Sequence, residues 1–264
     1  METSRQHLHP WRLLASAAVV LSIGFSYLTN TRIINGQNNA DVSAKYPTLF
    51  TPAGYAFSIW GLIYLSLLTY AVYQLRAARR DKRIHDWLAA PLLVTSLLSM
   101  GWLVLFNAEW LLGSVLVILG MLGTALLLLV RAREWVLSRR GEGWLSVPFS
   151  LYAGWLTVAA IANASVYLSS LGWRGYPLSP TLWALVLLTA AVAIAVGVSW
   201  RLRDAVFPAV VAWACLAIWV ARRPEDETVA LTALAAALVL AAWSLFCAFR
   251  LARRGEYGAT SFNV

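Results

Sequence analysis

The amino-acid sequence predicts an all-α membrane protein, a polytopic bundle of eight transmembrane helices. Three observations lead to this prediction. Of the 264 residues, 60% are hydrophobic and only 12% are charged, against roughly 25% charged residues in an ordinary soluble domain. The apolar runs continue for about 18 residues or more, which lets a helix cross the roughly 30 Å hydrocarbon core of a bilayer. Basic residues lie in short blocks beside these runs, as is typical of the loops between transmembrane helices. A transmembrane β-barrel would instead need strands of about ten residues in which apolar and polar side chains alternate.

The first span follows a basic tail, and its layout resembles a signal peptide. Because no clear small-residue cleavage site follows it, the sequence favours a retained helix, with cleavage as the alternative. Residues 30–52 form the longest connection, and a loop of this length is often a lid or a binding element. Only Asn107 to Trp110 separate the third span from the fourth, which predicts a tight helical hairpin. The eight spans are predicted at residues 11–29, 53–75, 87–106, 110–131, 147–170, 180–200, 205–221 and 228–250.

The seventh span is short, which leaves a tilted or partly interfacial placement open. The basic residues provide a test of the count of eight. If both termini are cytoplasmic, the inner segments hold 16 and the outer segments 5 of the 21 Lys and Arg residues, as the positive-inside rule requires. The same blocks account for the net charge of +9, so the sequence predicts contact with membrane lipids and no binding of nucleic acid.

The sequence offers few residues for catalysis, metal binding or proton transfer. The predicted spans carry almost no charges, with Glu109 in the hairpin and Asp204 between two helices. No pair of carboxylates and no nucleophile with a histidine partner is therefore predicted. Cys215 and Cys247 lie inside apolar runs, where a thiol is usually a small buried side chain. We predict a binding protein rather than an enzyme, with no metal and no cofactor.

Aromatic stripes on three of the predicted helices bear most directly on function. At 100° per residue, one face of the second span carries rings at one end and small residues at the other. Such a face packs on neighbouring helices, lies in an interfacial aromatic belt or lines a pocket. Rings with few polar groups suit a flat, largely apolar guest such as a porphyrin, a sterol or another amphipathic ring system. The stripes comprise Ala53, Phe57, Trp60, Tyr64, Leu67 and Ala71 in the second span, Ser99, Trp102 and Phe106 in the third, and Tyr152, Trp155, Ala159 and Val166 in the fifth.

Asn163 lies at the edge of the stripe on the fifth span. A polar group in mid-helix needs a hydrogen-bond partner, which another helix, a water molecule or a ligand can supply. We predict Trp60, Trp102 and Trp155 as stacking walls and Asn163 as a group that orients the ligand. The predicted ligand-binding residues are Gly54, Tyr55, Phe57, Trp60, Tyr64, Ser99, Trp102, Phe106, Tyr152, Trp155 and Asn163.

The same residues resemble the TspO/translocator-protein family, whose bacterial members are called tryptophan-rich sensory proteins. The P-x-G-Y-x-F-x-x-W-x-x-x-Y of residues 52–64 is similar to the family's proline, glycine-tryptophan and VW-x-x-LY signature. The W-L-V-L-F of residues 102–106 is similar to its W-x-P-x-F-F segment, with Val104 in place of the proline. The most specific match is Y-A-G-W at residues 152–155, followed by Asn163. The resemblance covers about residues 11–170.

The resemblance implies a five-helix transmembrane domain at residues 1–175, usually a homodimer, in a bacterial inner membrane. It also implies a pocket beneath the first loop that binds porphyrins or related tetrapyrroles, and sterol-like lipids in some members. The three helices after residue 175 have no counterpart in five-helix members, so residues 176–264 are predicted to be a three-helix extension. Residues 30–52 would cover the opening, and Gly54 would allow close approach of the chain at the rim. A transporter of small amphipathic solutes, a pigment-degrading enzyme and a purely structural subunit remain as alternatives.

Overall fold

A computed structural model of the chain describes residues 9–76, 79, 82–138 and 142–253. Every regular element in these ranges is helical, which confirms the predicted all-α class. Short 3-10 turns occupy Gly54–Ser58 and Gly143–Ser146. The α-helices are α1 (Pro10–Asn30), α2 (Asn39–Lys45), α3 (Ile59–Leu75), α4 (Ile84–Asn107), α5 (Leu111–Leu137), α6 (Val147–Ser170), α7 (Pro180–Leu202), α8 (Val206–Arg222) and α9 (Glu227–Arg253).

Helix length and composition make this chain an integral, multi-pass membrane protein. In the described ranges, seven segments are long and apolar enough to cross a bilayer, with the α3 segment counted from Gly54. α8 has 17 residues, a length of about 25 Å, and corresponds to the short seventh span. Just before α8, Asp204 accepts a hydrogen bond from Ser150 at the start of α6 (2.7 Å). Near its end, the carbonyl of Ala217 accepts one from the N–H of Ala53, which precedes α3 (3.1 Å). α8 therefore runs from one end of the bundle to the other.

The two ends of the bundle differ in charge. One end carries the starts of α1 and α4 and the ends of α7 and α9, and we call it the basic end. There Arg12 pairs with Asp86 (2.6 Å), and Trp243 of α9 donates to Ser199 of α7 (3.1 Å). The opposite end carries the connection between α1 and α3, and we call it the lid end. Both termini of the described chain thus lie at the basic end, as an even number of crossings requires.

The long helices α1, α3, α4, α5 and α6 form a closed ring. α1 packs against α3 and α4, α4 against α5, α5 against α6, and α6 returns to α3. α8 packs against α6 and the Gly54–Ser58 turn, while α7 and α9 pack on α8. Because α6 contacts α3 and α5 within the ring and α8 outside it, it is the most buried span, with 78% of its most apolar stretch inside the protein against 50% or less in the other spans.

Close packing of α8 on α6 depends on Gly154. A Cβ at this position would lie 3.1 Å from Cβ of Val210 and 3.2 Å from the carbonyl oxygen of Phe207. The helices therefore meet where α6 has no side chain, a common device between transmembrane helices. Further along α8, the indole N–H of Trp213 donates to the carbonyl of Ala56 in the turn that leads into α3 (3.3 Å). α8 thus holds both α6 and the entrance to α3.

A buried ion pair near the basic end adds one charge, that of Arg133, which the predicted spans did not include. α5 extends to Leu137, beyond its predicted end at residue 131, and so includes Arg133. The side chains of Arg133 and Asp204 are 0% and 1% exposed, and Nε lies 3.9 Å from Oδ2. Arg133 also donates to the carbonyl of Leu202 (3.0 Å). Asp204 accepts from Ser150 and from the first two N–H groups of α8. Because a buried charge needs partners, this pair connects α5, α6 and α8.

Candidate ligand-binding site

Residues 31–53 fold across the lid end of the ring, and we call them the lid. The short helix α2 within the lid begins with a reciprocal capping box. The side-chain oxygen of Asn38 accepts from the N–H groups of Ala40 and Asp41 (3.0 and 3.1 Å), and the Asp41 carboxylate accepts from the N–H of Asn38 (2.9 Å). These bonds satisfy the free donors at the start of the helix. They explain why this polar stretch is helical without an apolar stripe.

Glu109, in the hairpin between α4 and α5, holds the lid in place. Its carboxylate accepts hydrogen bonds from Nζ of Lys45 (2.6 Å), the hydroxyl of Tyr46 (2.5 Å) and Nε2 of Gln37 (3.0 Å). These donors, Lys45 foremost, lower the pKa of Glu109 to about 2. The carboxylate in turn raises the pKa of Lys45 and the pKa of Tyr46. We call this group of contacts the Glu109 latch.

Beneath the lid lies a cavity of about 450 Å³, which we call the main cavity. Its walls come from α1, α2, α3 with the preceding turn, and α4. Tyr27 and Gly61 on its rim are exposed, so the cavity opens between α1 and α3. Five of the predicted residues line it, namely Phe57, Trp60, Tyr64, Ser99 and Trp102. The other lining residues are Ile23, Ser26, Tyr27, Thr29, Asn30, Asn38, Asn39, Ala40, Ser58, Gly61 and Leu103.

A smaller void of about 40 Å³ lies against the same aromatic residues, and we call it the annex. Phe57, Trp60 and Trp102 line both spaces, so they form the partition between them. A water molecule needs roughly 10–15 Å³ of such space, and the annex is therefore large enough for a water or a small substituent of a ligand. Three further predicted residues line the annex, namely Phe106, Trp155 and Asn163.

Two rings of the partition, Trp60 and Trp102, pack against further aromatic rings. Tyr64 stacks on Trp60 with ring centroids 5.3 Å apart, and Trp155 meets Trp60 edge-on at 6.4 Å. Trp102 stacks on Phe106 at 5.1 Å. Ring pairs of this kind contribute about 0.5–1.5 kcal/mol each beyond burial of their area. The aromatic surface is therefore formed before any ligand arrives.

The amide of Asn163 joins helices. Its Oδ1 accepts a hydrogen bond from the indole N–H of Trp102 (2.8 Å), and its Nδ2 donates to the hydroxyl of Ser114 (2.9 Å). These contacts connect α4, α5 and α6 and correspond to the helix-to-helix alternative that the sequence left open. Similarly, the Tyr64 hydroxyl donates to Ser26 of α1 (2.8 Å).

Two polar atoms beside these spaces have no partner within the described chain. Trp155 is 2% exposed, and its indole N–H finds no acceptor among the described residues. Asn39 lines the main cavity, and its buried Oδ1 accepts no hydrogen bond from the described residues. Buried polar atoms are normally satisfied by protein, water or ligand. One donor and one acceptor are thus left for a guest molecule or for ordered water.

Three predicted residues line neither space in the described structure. Tyr55 packs edge-on against Trp213 of α8, with centroids 5.4 Å apart. Tyr152 supports the partition from behind, with its ring 6.1 Å from that of Trp60. The predicted close approach at Gly54 is wrong, because Gly54 is exposed and a Cβ there would meet no described heavy atom within 4 Å.

Sequence reasoning missed the contribution of α1 and the lid. Ser26, Tyr27 and Thr29 line the cavity from the last turns of α1, and Asn38 and Asn39 line it from the lid. A signal was present in the S-Y-L-T-N at residues 26–30, since polar residues clustered in a membrane span usually face protein or a cavity.

A family model described as TSPO-like protein matches residues 12–246 of the chain. Comparison with curated proteins and with solved structures finds no match. The matched range begins in the first turn of α1 and ends within α9. It therefore includes α7 and α8 as well as the part of the chain that carries the resemblance in sequence. Because the match spans well over half of its length, this chain belongs to the TSPO-like protein family.

Proposed function

We propose that the protein is a membrane receptor that binds a flat, amphipathic ring compound in the main cavity, most specifically a porphyrin or related tetrapyrrole. The observation that carries this proposal is a cavity with aromatic walls beneath a latched lid. Its volume of about 450 Å³ falls within the roughly 300–1,000 Å³ of small-molecule sites. The resemblance of the aromatic motifs to porphyrin-binding relatives supports the same class of ligand.

The distribution of polar groups gives the ligand an orientation. The rings of Trp60 and Trp102 supply flat apolar surface on one side of the cavity, where a conjugated ring can stack. Amide and hydroxyl groups gather at the lid end, where Asn38, Asn39 and Thr29 line the cavity. A ring with one polar edge would therefore bind with that edge toward the lid and its apolar body toward α3 and α4.

The opening between α1 and α3 suits a ligand that arrives through the bilayer. In our proposal the basic end faces the cytoplasm, since the positive-inside rule places clusters of Lys and Arg on that side. The lid and cavity then lie at the outer side of a bacterial inner membrane, with both termini in the cytoplasm. This orientation can be tested by the accessibility of single cysteines introduced at exposed Trp110 and Trp200.

Packing below the cavity favours a receptor over a transporter. Between the main cavity and the basic end, Leu67, Leu92 and Phe149 are buried. A continuous path would require several of these side chains to move together. Flux of a labelled tetrapyrrole into proteoliposomes would contradict the receptor assignment, and time-dependent loss of porphyrin absorbance would favour an enzyme.

The decisive experiment fills the cavity without disturbing its walls. Gly61 lines the main cavity, and a Cβ there would meet no described heavy atom within 4 Å. In Gly61→Leu we expect the affinity for protoporphyrin IX, titrated against the full chain in nanodiscs, to fall by about tenfold or more, since overpacking a site typically costs 1–3 kcal/mol.

Gly197→Leu in α7 is the matched control, because Gly197 is also in a helix with no described heavy atom within 4 Å of a Cβ. It should keep the affinity of the unmodified protein. Equal affinity in Gly61→Leu and Gly197→Leu would remove the ligand from the main cavity. The same titration with a sterol identifies the ring class: tighter binding of the sterol would exclude the tetrapyrrole assignment while leaving the site in place.

A further inference from the structure

A second cavity, of about 380 Å³, lies at the basic end between the last turns of α7 and α9. We call it the arginine pocket. It is at the opposite end of the bundle from the main cavity and shares no lining residue with it. Its charged lining residues are Arg201, Arg203 and Arg250.

The charge of the arginine pocket is one-sided. The described residues that line it include three arginines and no Asp or Glu. Asp204 is close in the sequence, but it is 1% exposed and its oxygens already accept hydrogen bonds from Ser150 and from the N–H groups at the start of α8. Arginine presents several N–H donors in a planar fork that matches the oxygens of a phosphate. The pocket is therefore complementary to an anion.

The aromatic lining indicates where this anion comes from. Trp200 and Trp243 stack with ring centroids 5.8 Å apart, and Trp200 is 66% exposed. Phe246 packs beside Trp243 at 5.6 Å, and the guanidinium of Arg250 lies 5.3 Å from the centroid of the Phe246 ring. Tryptophan at the end of a transmembrane helix sits at the level of the lipid headgroups. The pocket therefore lies at the depth of the phosphate and ester groups of one leaflet.

The helix surface below the pocket is suited to acyl chains. Moving from the pocket toward the middle of α9, Phe246, Leu245, Val239 and Leu238 are all at least 46% exposed. An exposed apolar face that continues from an anion-binding pocket matches the two parts of a phospholipid, one charged and one apolar. A free phosphate ion would use only the first part.

We propose that the arginine pocket binds the headgroup of an anionic glycerophospholipid, with its phosphate between Arg201 and Arg250 and its glycerol ester region against Trp200. The acyl chains then lie along the exposed face of α9. Basic pockets between transmembrane helices on the cytoplasmic side are suited to such headgroups. This site is independent of the ring compound proposed for the main cavity.

The experiment counts lipids bound to the full chain by native mass spectrometry in detergent, with phosphatidylglycerol and phosphatidylcholine of identical acyl chains. We expect one equivalent of phosphatidylglycerol to bind about tenfold more tightly than phosphatidylcholine. The double variant Arg201→Gln with Arg250→Gln should lose this preference, because each basic residue near an anionic headgroup contributes about fourfold to tenfold in affinity.

The matched control is Arg174→Gln with Arg223→Gln, which removes two charges from exposed positions at the lid end. It should retain the preference for phosphatidylglycerol. Loss of the preference in both double variants would show a general charge effect and overturn the proposal. Equal binding of the two lipids by the unmodified protein would overturn it as well. Displacement of phosphatidylglycerol by millimolar inorganic phosphate would overturn the lipid assignment, whereas resistance to displacement supports it.

Discussion

Removal of the Glu109 latch should open the lid without unfolding the bundle. The perturbation is Glu109→Ala, which leaves Lys45, Tyr46 and Gln37 without their shared acceptor. All three donors lie in the lid, where water can replace the lost bonds once the lid moves. We therefore expect a local effect on residues 31–53 and little change in the thermal unfolding of the helices.

The free energy that the Glu109 latch contributes to the closed lid depends on how exposed its side chains are. The side chain of Lys45 is 54% exposed, so solvent screens its ion pair and the pair adds little. The Tyr46 and Gln37 bonds go to a carboxylate that is 19% exposed, and hydrogen bonds to charged groups contribute about 1.5–3 kcal/mol when well protected. After allowance for partial exposure, the latch contributes about 2 kcal/mol, equivalent to a roughly 30-fold change in the population of the open lid.

Hydrogen exchange of the amides in α2, followed by mass spectrometry, measures this population. Glu109→Ala should speed exchange there by about 30-fold, and it should speed release of protoporphyrin if the lid covers the ligand. The matched control is Glu142→Ala, because Glu142 also accepts from three donors, Arg79, Tyr73 and Trp144, but at the basic end. Unchanged exchange in α2 of Glu109→Ala, or an equal change in Glu142→Ala, would refute this reasoning.

The pH dependence of the lid has a definite sign. The pKa of Glu109 is about 2 in the folded protein and roughly 4.3 in an unfolded chain. Its contribution is therefore complete above about pH 4.3 and is lost as the pH falls toward 2. The raised pKa values of Lys45 and Tyr46 give a contribution that is present below about pH 10 and lost at higher pH. The lid-opening equilibrium should be flat between about pH 5 and 9.

Three further substitutions and one control, Gly123→Ala, test the packing around the site, and each is measured as the thermal unfolding midpoint in detergent. Gly154→Ala should lower stability by about 1–3 kcal/mol because its methyl group meets α8, whereas Gly123→Ala, with open space around its Cβ, should raise it by up to about 1 kcal/mol. Asp204→Asn should cost about 3 kcal/mol or more, since it leaves the buried charge of Arg133 without its carboxylate. Asn163→Leu should cost about 1–3 kcal/mol, because it leaves the buried indole N–H of Trp102 without its acceptor.

Each of these substitutions has an outcome that contradicts its premise. A neutral Gly154→Ala would mean that α8 does not press on α6. If Asp204→Asn were as stable as the unmodified protein, the ion pair with Arg133 would not be needed to hold α5 and α8 together. A stable Asn163→Leu that loses porphyrin binding would assign Asn163 to the ligand instead of to helix packing.

Most of the fold could be predicted from the sequence, because the length of each hydrophobic run matches the length of helix needed to cross a bilayer. The starts and ends of spans were less predictable, since helices continue past the apolar region for as long as the residues favour helix. α5 shows this clearly, because Arg131 ends the apolar run but not the helix, which continues through Arg133 to Leu137. Asp204, the partner of Arg133, is distant in sequence, and helical periodicity cannot pair residues on separate helices.

The candidate site was predictable only in part for a related reason. Periodicity identified the stripe that contains Phe57, Trp60 and Tyr64, and these residues do line the main cavity. It could not decide between a ligand and a neighbouring helix as the partner of Asn163. The lid was predicted from its length alone, because its stability comes from tertiary contacts to Glu109 and from one capping residue, Asn38.

The contacts of α8 with Ala53 and Ala56 have a consequence for attempts to reduce the protein to a minimal version. These contacts anchor the segment that leads from the lid into α3, and α8 packs against α6 at Gly154. A chain truncated after residue 175 would retain every aromatic residue of the main cavity yet lose the support behind them. We expect such a truncated protein to insert into membranes but to bind its ligand poorly, so ligand-binding studies should use the full-length chain.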